Sequence, residues 1–238
     1  MDYALMCVNS GRKRMTLWKG DDELFALAKR ELFTAVVGDV MDGLGLLHQF
    51  LPPRIRPLHA GMALIGRAMP VLAGDLTADA GNREKPFGLM LEALDDLGRN
   101  EVYVNTGASP RCALWGELMS TRAAKLGAAG AVLDGYVRDT NAILDIGFPT
   151  FSWGSYAQDI APRARVLDFR VGLEIEGVAI RPGDILFGDI DGVLCVPSVA
   201  AEEVFARAVE KARGEKKVRT ALLEGASAVA AFEKYGIM

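Results

Sequence analysis

An α/β fold is predicted for this 238-residue chain by three observations: helical and strand-like apolar runs alternate between residues 62 and 134, strands and turns dominate after Pro149, and helical spacing marks both ends. Half of the residues are apolar, enough to bury one sizeable core but hardly two full enzyme domains. The chain therefore reads as one domain overall. It has a helical N-terminal extension over 1–58, a main α/β core over 59–199 and a helical C-terminal extension over 200–238.

Asp21 and Asp22, followed by Leu24, Phe25, Leu27 and Ala28, open an amphipathic helix, because acidic residues suit a helix start and the apolar spacing follows one face. A second helix is expected from about Val36 to Leu47. Pro52, Pro53 and Pro57 cannot sit inside a helix and mark the passage into the core. A strand from Met62 to Pro70, a helix from Lys85 to Leu97 and a strand from Glu101 to Asn105 then form a βαβ unit. The pattern repeats with a helix from about Leu114 to Leu126, ended by Gly127, and a buried strand from Ala131 to Asp134. Further strands are expected at 164–169, 174–180, 185–188 and 192–196, with Arg181-Pro182-Gly183-Asp184 as a turn. From Ala200 onward Ala, Glu, Lys and Leu recur at helical spacing, with a break expected at Gly214 and a second helix after it. A lid or an oligomer contact is the expected role of this end.

The 27 basic and 31 acidic residues give a net charge of -4 without long single-sign runs, which argues against nucleic acid as a partner. Cys7, Cys112 and Cys195 are far apart and lack CxxC spacing, so neither a disulfide framework nor a zinc site is expected. The first 14 residues fail as a signal peptide, since their charges follow the apolar residues. No apolar run reaches the roughly 18 to 20 residues of a membrane helix. The expected compartment is the cytoplasm, with no membrane contact. His48 and His59 are isolated, and Gly43-Leu44-Gly45 lacks the third glycine of a dinucleotide fingerprint.

In a parallel βαβ arrangement, the loops leaving the carboxyl ends of the strands gather where ligands bind. One such loop, 106–115, feeds a helix whose early turn holds Gly116, Glu117, Leu118 and Met119, and free amides there favour a carboxylate. The next, 135–139, delivers Arg138 and Asp139 side by side. Arginine can grip a substrate carboxylate or carbonyl with paired hydrogen bonds, and aspartate can ligate a hard cation such as magnesium. Glu117, Arg138 and Asp139 are therefore expected to converge on a small anionic substrate. From spacing alone, an ordinary loop ion pair is the alternative reading of Arg138 and Asp139.

The run WGELMSTRAAKLGAAGAVLDGYVRD, residues 115–139, resembles the class II pyruvate aldolases that cleave 4-hydroxy-4-methyl-2-oxoglutarate and 4-carboxy-4-hydroxy-2-oxoadipate, a family sharing its fold with the regulator of ribonuclease activity A. Its signature is an acidic residue, twenty intervening residues, then Arg-Asp, matched here by Glu117, residues 118–137 and Arg138-Asp139. FPTFSWG at 148–154 and RPGDILFGDIDGVLCVP at 181–197 are similar to the family's later strands, so the resemblance covers about residues 30–210.

The resemblance implies a three-layer α/β/β sandwich of the swivelling type, assembled as homotrimers or homohexamers with sites at subunit boundaries. It implies that Asp139 ligates a divalent metal, Mg2+ or Mn2+, that Arg138 contacts the substrate's 2-oxo and carboxylate region, and that Glu117 holds a metal-bound water. The amides of Leu118 and Met119 would cradle the carboxylate beside Gly116. The best-known aldolases have Asp where this chain has Glu117, which puts the outer metal shell and substrate preference in question. The family also draws an acidic residue from a neighbouring subunit; Asp189, Asp191, Glu202 and Glu203 are all candidates, with turn formation the competing role of the first two. The implied activity is metal-dependent cleavage of a carbon–carbon bond in a small 2-oxo (di)acid through a pyruvate enolate, with oxaloacetate decarboxylation as a side reaction. The alternatives are a non-enzymatic regulator of the ribonuclease-inhibitor type, or a lyase on this scaffold acting on a different hydroxy acid.

Overall fold

The computed structural model describes residues 17–76 and 85–237. Cys7 and the N-terminal segment read against a signal peptide lie outside them. Helix α1 (Asp21–Glu31) begins on three acidic residues and buries Leu24, Phe25, Leu27 and Ala28, as its spacing requires. Helix α2 (Thr34–Gly43) starts earlier and ends earlier than the expected 36–47, because the chain turns at Leu44 and Gly45 takes a φ of 78°. Its first turn is tied to the core by Asp189, whose carboxylate accepts from the Thr34 amide and hydroxyl, both at 2.7 Å.

Strands β1 (Arg56–Pro57) and β2 (Leu64–Asp75) follow, then α3 (Met90–Asp96), β3 (Glu101–Thr106), β4 (Ala113–Trp115), α4 (Glu117–Leu126), β5 (Gly130–Leu133), β6 (Tyr136–Val137), α5 (Thr140–Ile146) and β7 (Thr150–Ser152). Next come β8 (Ala164–Phe169), β9 (Leu173–Ile175), β10 (Val178–Ile180), β11 (Ile185–Asp189) and β12 (Gly192–Val196), and the chain continues through α6 (Ala201–Leu223) and α7 (Ala228–Tyr235). The main sheet runs β1-β7-β5-β3-β2-β11-β12, with β8 also paired to β2. Within it β7, β5, β3 and β2 are parallel neighbours in turn, the arrangement that three crossovers, through α3, α4 and α5, impose.

Side-chain alternation along these strands builds the layers. Tyr103, Ala131 and Leu133 face a core shared with Met90, Ala93, Leu94, Met119 and Ala123, so α3 and α4 cover that face. Farther along the same face, Ile65, Ile185, Phe187, Leu194 and Val196 pack against α1, α2 and α6. The opposite face, formed by Leu64, Ala68, Val102, Val104 and Val132, is covered by Ile175, Val178 and Ile180 of the β9–β10 hairpin. The result is the three-layer α/β/β sandwich.

Several elements depart from the sequence reading. Trp115 and Leu114 belong to β4 instead of the helix after it, because both are buried in a short parallel pairing with β6. Helix α3 begins only at Met90, since Gly88, at φ 64°, lies too close to the Val166 carbonyl for any other residue. Helix α6 runs through Gly214 without a break. A Cβ there would lie 2.5 Å from Ile237 Cδ1, so the missing side chain admits the returning chain. Nor does α6 hang free as a lid: it buries Val204, Phe205, Ala208 and Val209 in the core. Cys112 and Cys195 are free, buried thiols, each pushed up from its ordinary pKa by desolvation. Among the described residues, no helix is long and apolar enough to cross a membrane.

Candidate active site

The chain leaves β3 and β5 at their carboxyl ends, and the two departing loops are held together by the parallel β4–β6 pair, Ala113 opposite Tyr136 and Trp115 opposite Val137. The first loop is pinned by Asp75 at the end of β2, which accepts from the Ser109 amide at 2.8 Å and from the Ser109 hydroxyl. The second is pinned by Asp134, which accepts from Thr106 Oγ1 at 2.8 Å, from Arg54 Nη2 at 3.1 Å and from Trp153 Nε1 at 3.2 Å. Arg54 also lies over the Trp153 ring at 4.5 Å. At the junction the Arg138 amide donates to the Trp115 carbonyl at 3.0 Å, and buried Trp115 Nε1 donates to Ser120 Oγ at 2.7 Å. Ser120 Oγ in turn donates to the Gly116 carbonyl at 3.2 Å, locking the first turn of α4 to β4.

Asp139 is the unusual residue of this junction. It has a φ of 57°, a left-handed conformation that Asp and Asn tolerate better than most side chains, and it stands at the N-cap of α5. Aspartate there ordinarily caps its own helix. Its side chain makes no such bond and turns instead to α4, where Oδ2 meets the Glu117 amide in a long contact of 3.4 Å. Gly116 permits this approach, since a Cβ on it would stand 2.8 Å from Asp139 Oδ2 and 3.4 Å from Arg138 Cγ. The positive end of the α4 dipole favours a carboxylate at that spot. Arg138 Nε is 3.6 Å from Asp139 Oδ2, and Nη1 is 3.2 Å from Asp159 Oδ1.

These groups rim a cavity of about 220 Å3. Gly116, Leu118, Met119, Arg138 and Asp139, five of the six residues singled out in the sequence, line it. The Glu117 side chain does not; its carboxylate accepts from Thr121 Oγ1 at 2.8 Å one turn along α4. Asp159 and the apolar wall from α3, with Met90, Leu91 and Leu94, are among the lining groups not expected from the sequence. Asp159 lies in a loop without periodicity, so only the fold brings it to Arg138. A second depression, beside Asp21, Asp22, Arg99 and Asn100, is spanned by its own polar pairs, with Asp22 accepting from Asn100 and Arg99.

Asp139 could hold a metal. Its carboxylate is a hard donor, half-exposed, and among the described residues no group of three or more His, Cys, Asp or Glu stands ready as a cage. That donor set fits magnesium, which keeps several waters and takes one or two carboxylates plus substrate oxygens, and does not fit a protein-rich zinc or calcium site. Of the candidates for a carboxylate donated across subunits, Asp189 is occupied in capping α2, and Glu203 pairs with Arg207.

Helices on one face of a mixed sheet, a hairpin on the other and a guanidinium–carboxylate site at the parallel strand ends define an α/β/β sandwich with its candidate site above the strand termini. The chain belongs to the RraA-like family, described as aldolase/RraA, whose model matches residues 34–195. Protein DlpA of Legionella pneumophila is 30% identical over 206 residues, a match covering 85% of this chain but only 32% of that protein. A putative 4-hydroxy-4-methyl-2-oxoglutarate aldolase of Halalkalibacterium halodurans is 29% identical over 207 residues, covering 85% of this chain and 90% of that one. Among solved structures, one described as belonging to novel cellulases from gut-associated microbes matches with a TM-score of 0.77 at 32% identity, covering 87% of this chain and 90% of the other. RraAS2 of Streptomyces coelicolor, described as an unusual member of the RNase ES inhibitor RraA family, matches with a TM-score of 0.73 at 22% identity, over 85% of this chain and 98% of that one, and speaks for the fold alone.

Proposed function

We propose that this protein is a divalent-metal-dependent lyase that cleaves a carbon–carbon bond in a small 2-oxo acid and releases pyruvate. The observation carrying this reading is Asp139, which holds a left-handed backbone at a helix cap and aims its carboxylate across to α4, next to Arg138. Strain and an unused cap of this kind gather where side-chain direction serves a purpose. Membership of a family with aldolase-named relatives supports the same reading.

In the reaction proposed, the 4-hydroxyl of a 4-hydroxy-2-oxo acid loses its proton, the C3–C4 bond breaks, and its electron pair moves into the C2–C3 enolate. The departing half leaves as a carbonyl compound, and protonation at C3 yields pyruvate. A bound Mg2+ or Mn2+ supplies Lewis-acid stabilisation of the charge that develops on the 2-oxo oxygen. Asp139 would hold that ion. Arg138 engages the carboxylate and 2-oxo oxygens, exchanging its contact with Asp159 for a substrate anion. The first-turn amides of Leu118 and Met119 offer donors to the same carboxylate. Glu117, anchored to Thr121 and outside the cavity lining, acts through solvent at the rim. The enzyme proposed here works in the cytoplasm as a homotrimer or homohexamer.

Pyruvate release from 4-hydroxy-4-methyl-2-oxoglutarate, from other 4-hydroxy-2-oxo acids and from oxaloacetate, with and without EDTA, tests the reaction and the metal together. Asp139→Ala should abolish metal binding and activity, while Arg138→Ala should lose substrate engagement and keep the metal. No turnover of any of these compounds with Mg2+ or Mn2+ present would sink the proposal.

A further inference from the structure

Behind the rim of the cavity a chain of hydrogen bonds leads from the core to Asp139. It starts at Trp115, 2% exposed, whose ring lies against Tyr103, with centroids 4.8 Å apart, and is stacked on Phe148 at 6.0 Å. The indole N–H can only donate, and it does so to Ser120 Oγ at 2.7 Å. That bond occupies an acceptor site of the hydroxyl, whose own hydrogen goes to the Gly116 carbonyl 3.2 Å away. The Ser120 amide donates to the same carbonyl at 3.1 Å. This carbonyl shares a peptide group with the Glu117 N–H, and that N–H faces Asp139 Oδ2 at 3.4 Å. A buried indole N–H needs some partner, so the first bond alone says nothing about function. The partner is the informative part. Ser120 is wholly buried in α4, where alanine is the better helix former, and among the described residues its hydroxyl makes only these two bonds.

We propose that Trp115 and Ser120 are positioning residues, which aim and hold the Asp139 carboxylate through the Gly116–Glu117 peptide without touching substrate or ion. Their bearing on metal binding rests on the reading of Asp139 as the metal-holding group. Hydrogen bonds in series polarise one another. Two donors on the Gly116 carbonyl therefore make the amide on the other side of that peptide a better donor to Asp139. The Trp115 carbonyl meanwhile accepts from the Arg138 amide at 3.0 Å, so one residue holds both members of the Arg138–Asp139 pair. The relay runs within a single chain, and its two buried side chains are shielded whatever a neighbouring subunit covers.

The test combines calorimetric titration of the full chain with Mn2+ and the Glu117 amide proton in NMR spectra of isotope-labelled protein. Ser120→Ala breaks both side-chain links of the relay and leaves the backbone bond of the helix in place. It should weaken Mn2+ binding by about tenfold, the lower end of what losing a supporting partner of a metal ligand costs. It should also shift the Glu117 amide proton upfield, as a weakened hydrogen bond does. Trp115→Phe keeps an aromatic ring against Tyr103 and Phe148 but removes the N–H, and should move both readouts the same way by less. Ala123→Gly, a truncation at a buried position of the same helix outside the relay, controls for lost stability and should move neither. Should Trp115→Phe fail to fold, the other two variants decide. A Glu117 proton unmoved by Ser120→Ala overturns the proposal, as does Mn2+ held by Ser120→Ala as tightly as by the natural chain, or an equal loss in Ala123→Gly. A natural chain that binds no Mn2+, with the Glu117 proton still moved by Ser120→Ala, removes the metal reading and supports the relay as the mount of Asp139.

Discussion

Replacing Gly116 by alanine tests whether the aim of Asp139 matters. The new methyl group would sit 2.8 Å from Asp139 Oδ2, closer than carbon and oxygen ordinarily approach, and 3.4 Å from Arg138 Cγ. Gly116 is extended, at φ -155° and ψ -174°, so alanine fits the backbone without strain. The clash is therefore relieved by rotating the half-exposed carboxylate away, which costs little in folding. Loss of a glycine N-cap to alanine adds only about 0.5–1 kcal/mol, a fall in melting temperature of about 1–4 °C. Function should suffer far more, because a misplacement of about 1 Å at a reacting centre can cost roughly a hundredfold. We expect Gly116→Ala to weaken Mn2+ binding and lower kcat/KM for pyruvate release by about 10–100-fold, while the melting curve barely moves. Metal affinity and turnover both within twofold of the natural chain would refute the argument that this glycine exists to admit Asp139.

Three further outcomes are expected. Arg138→Lys keeps the charge but loses the planar fork, so KM for a 2-oxo acid should rise by about 10–100-fold while calorimetric metal affinity stays within twofold. Asp189→Ala removes the acceptor of both Thr34 bonds and should lower stability by about 1–2 kcal/mol, read in a urea melt, with site affinity untouched. Hydrogen bonds from Arg213 and Arg30 pull the Glu31 carboxyl down to about 2, so its contribution to stability is complete above its ordinary 4.5 and fades as pH falls toward 2. Glu31→Gln should therefore cost stability at neutral pH and flatten the acid limb of a stability–pH profile between those values; an unchanged slope there would count against the α1–α6 tie.

The parts of the fold legible in the sequence are those where burial imposes a period over enough residues. The strand at 164–169 and the strand at 192–196 emerge with their expected bounds, and β3 and β5 lie within a residue of theirs. What escaped detection is short or set by contacts. β1, β4, β6 and β7 have two or three residues each, too few for alternation to register, and α5 is announced by no run of its own. Leu114 and Trp115 continue the apolar rhythm of α4 seamlessly, so only their pairing with β6 assigns them to a strand. At the candidate site, Arg138 and Asp139 were readable because a strand end delivers them together, and Gly116 because a helix start follows it. The direction of the Asp139 side chain was not, since it depends on a positive φ and on a neighbour 23 positions earlier. Asp159 and the leucine wall come from loops and helices that meet only after the sheet has formed.

The core formed by α1, α2 and α6 also has a consequence for biosynthesis. Trp18, Phe25, Val37 and Met41 find Val204, Phe205 and Val209 as packing partners only near the far end of the chain. At about 5–20 residues per second, a ribosome takes on the order of ten seconds or more to make the intervening segment. Throughout that interval α1 and α2 lack the α6 side of their packing and have only Ile65 of β2, made soon after them, to cover them from this core. The molecule thus finishes folding by a contact of very long sequence separation, the kind that slows closure and lengthens exposure to chaperones and aggregation.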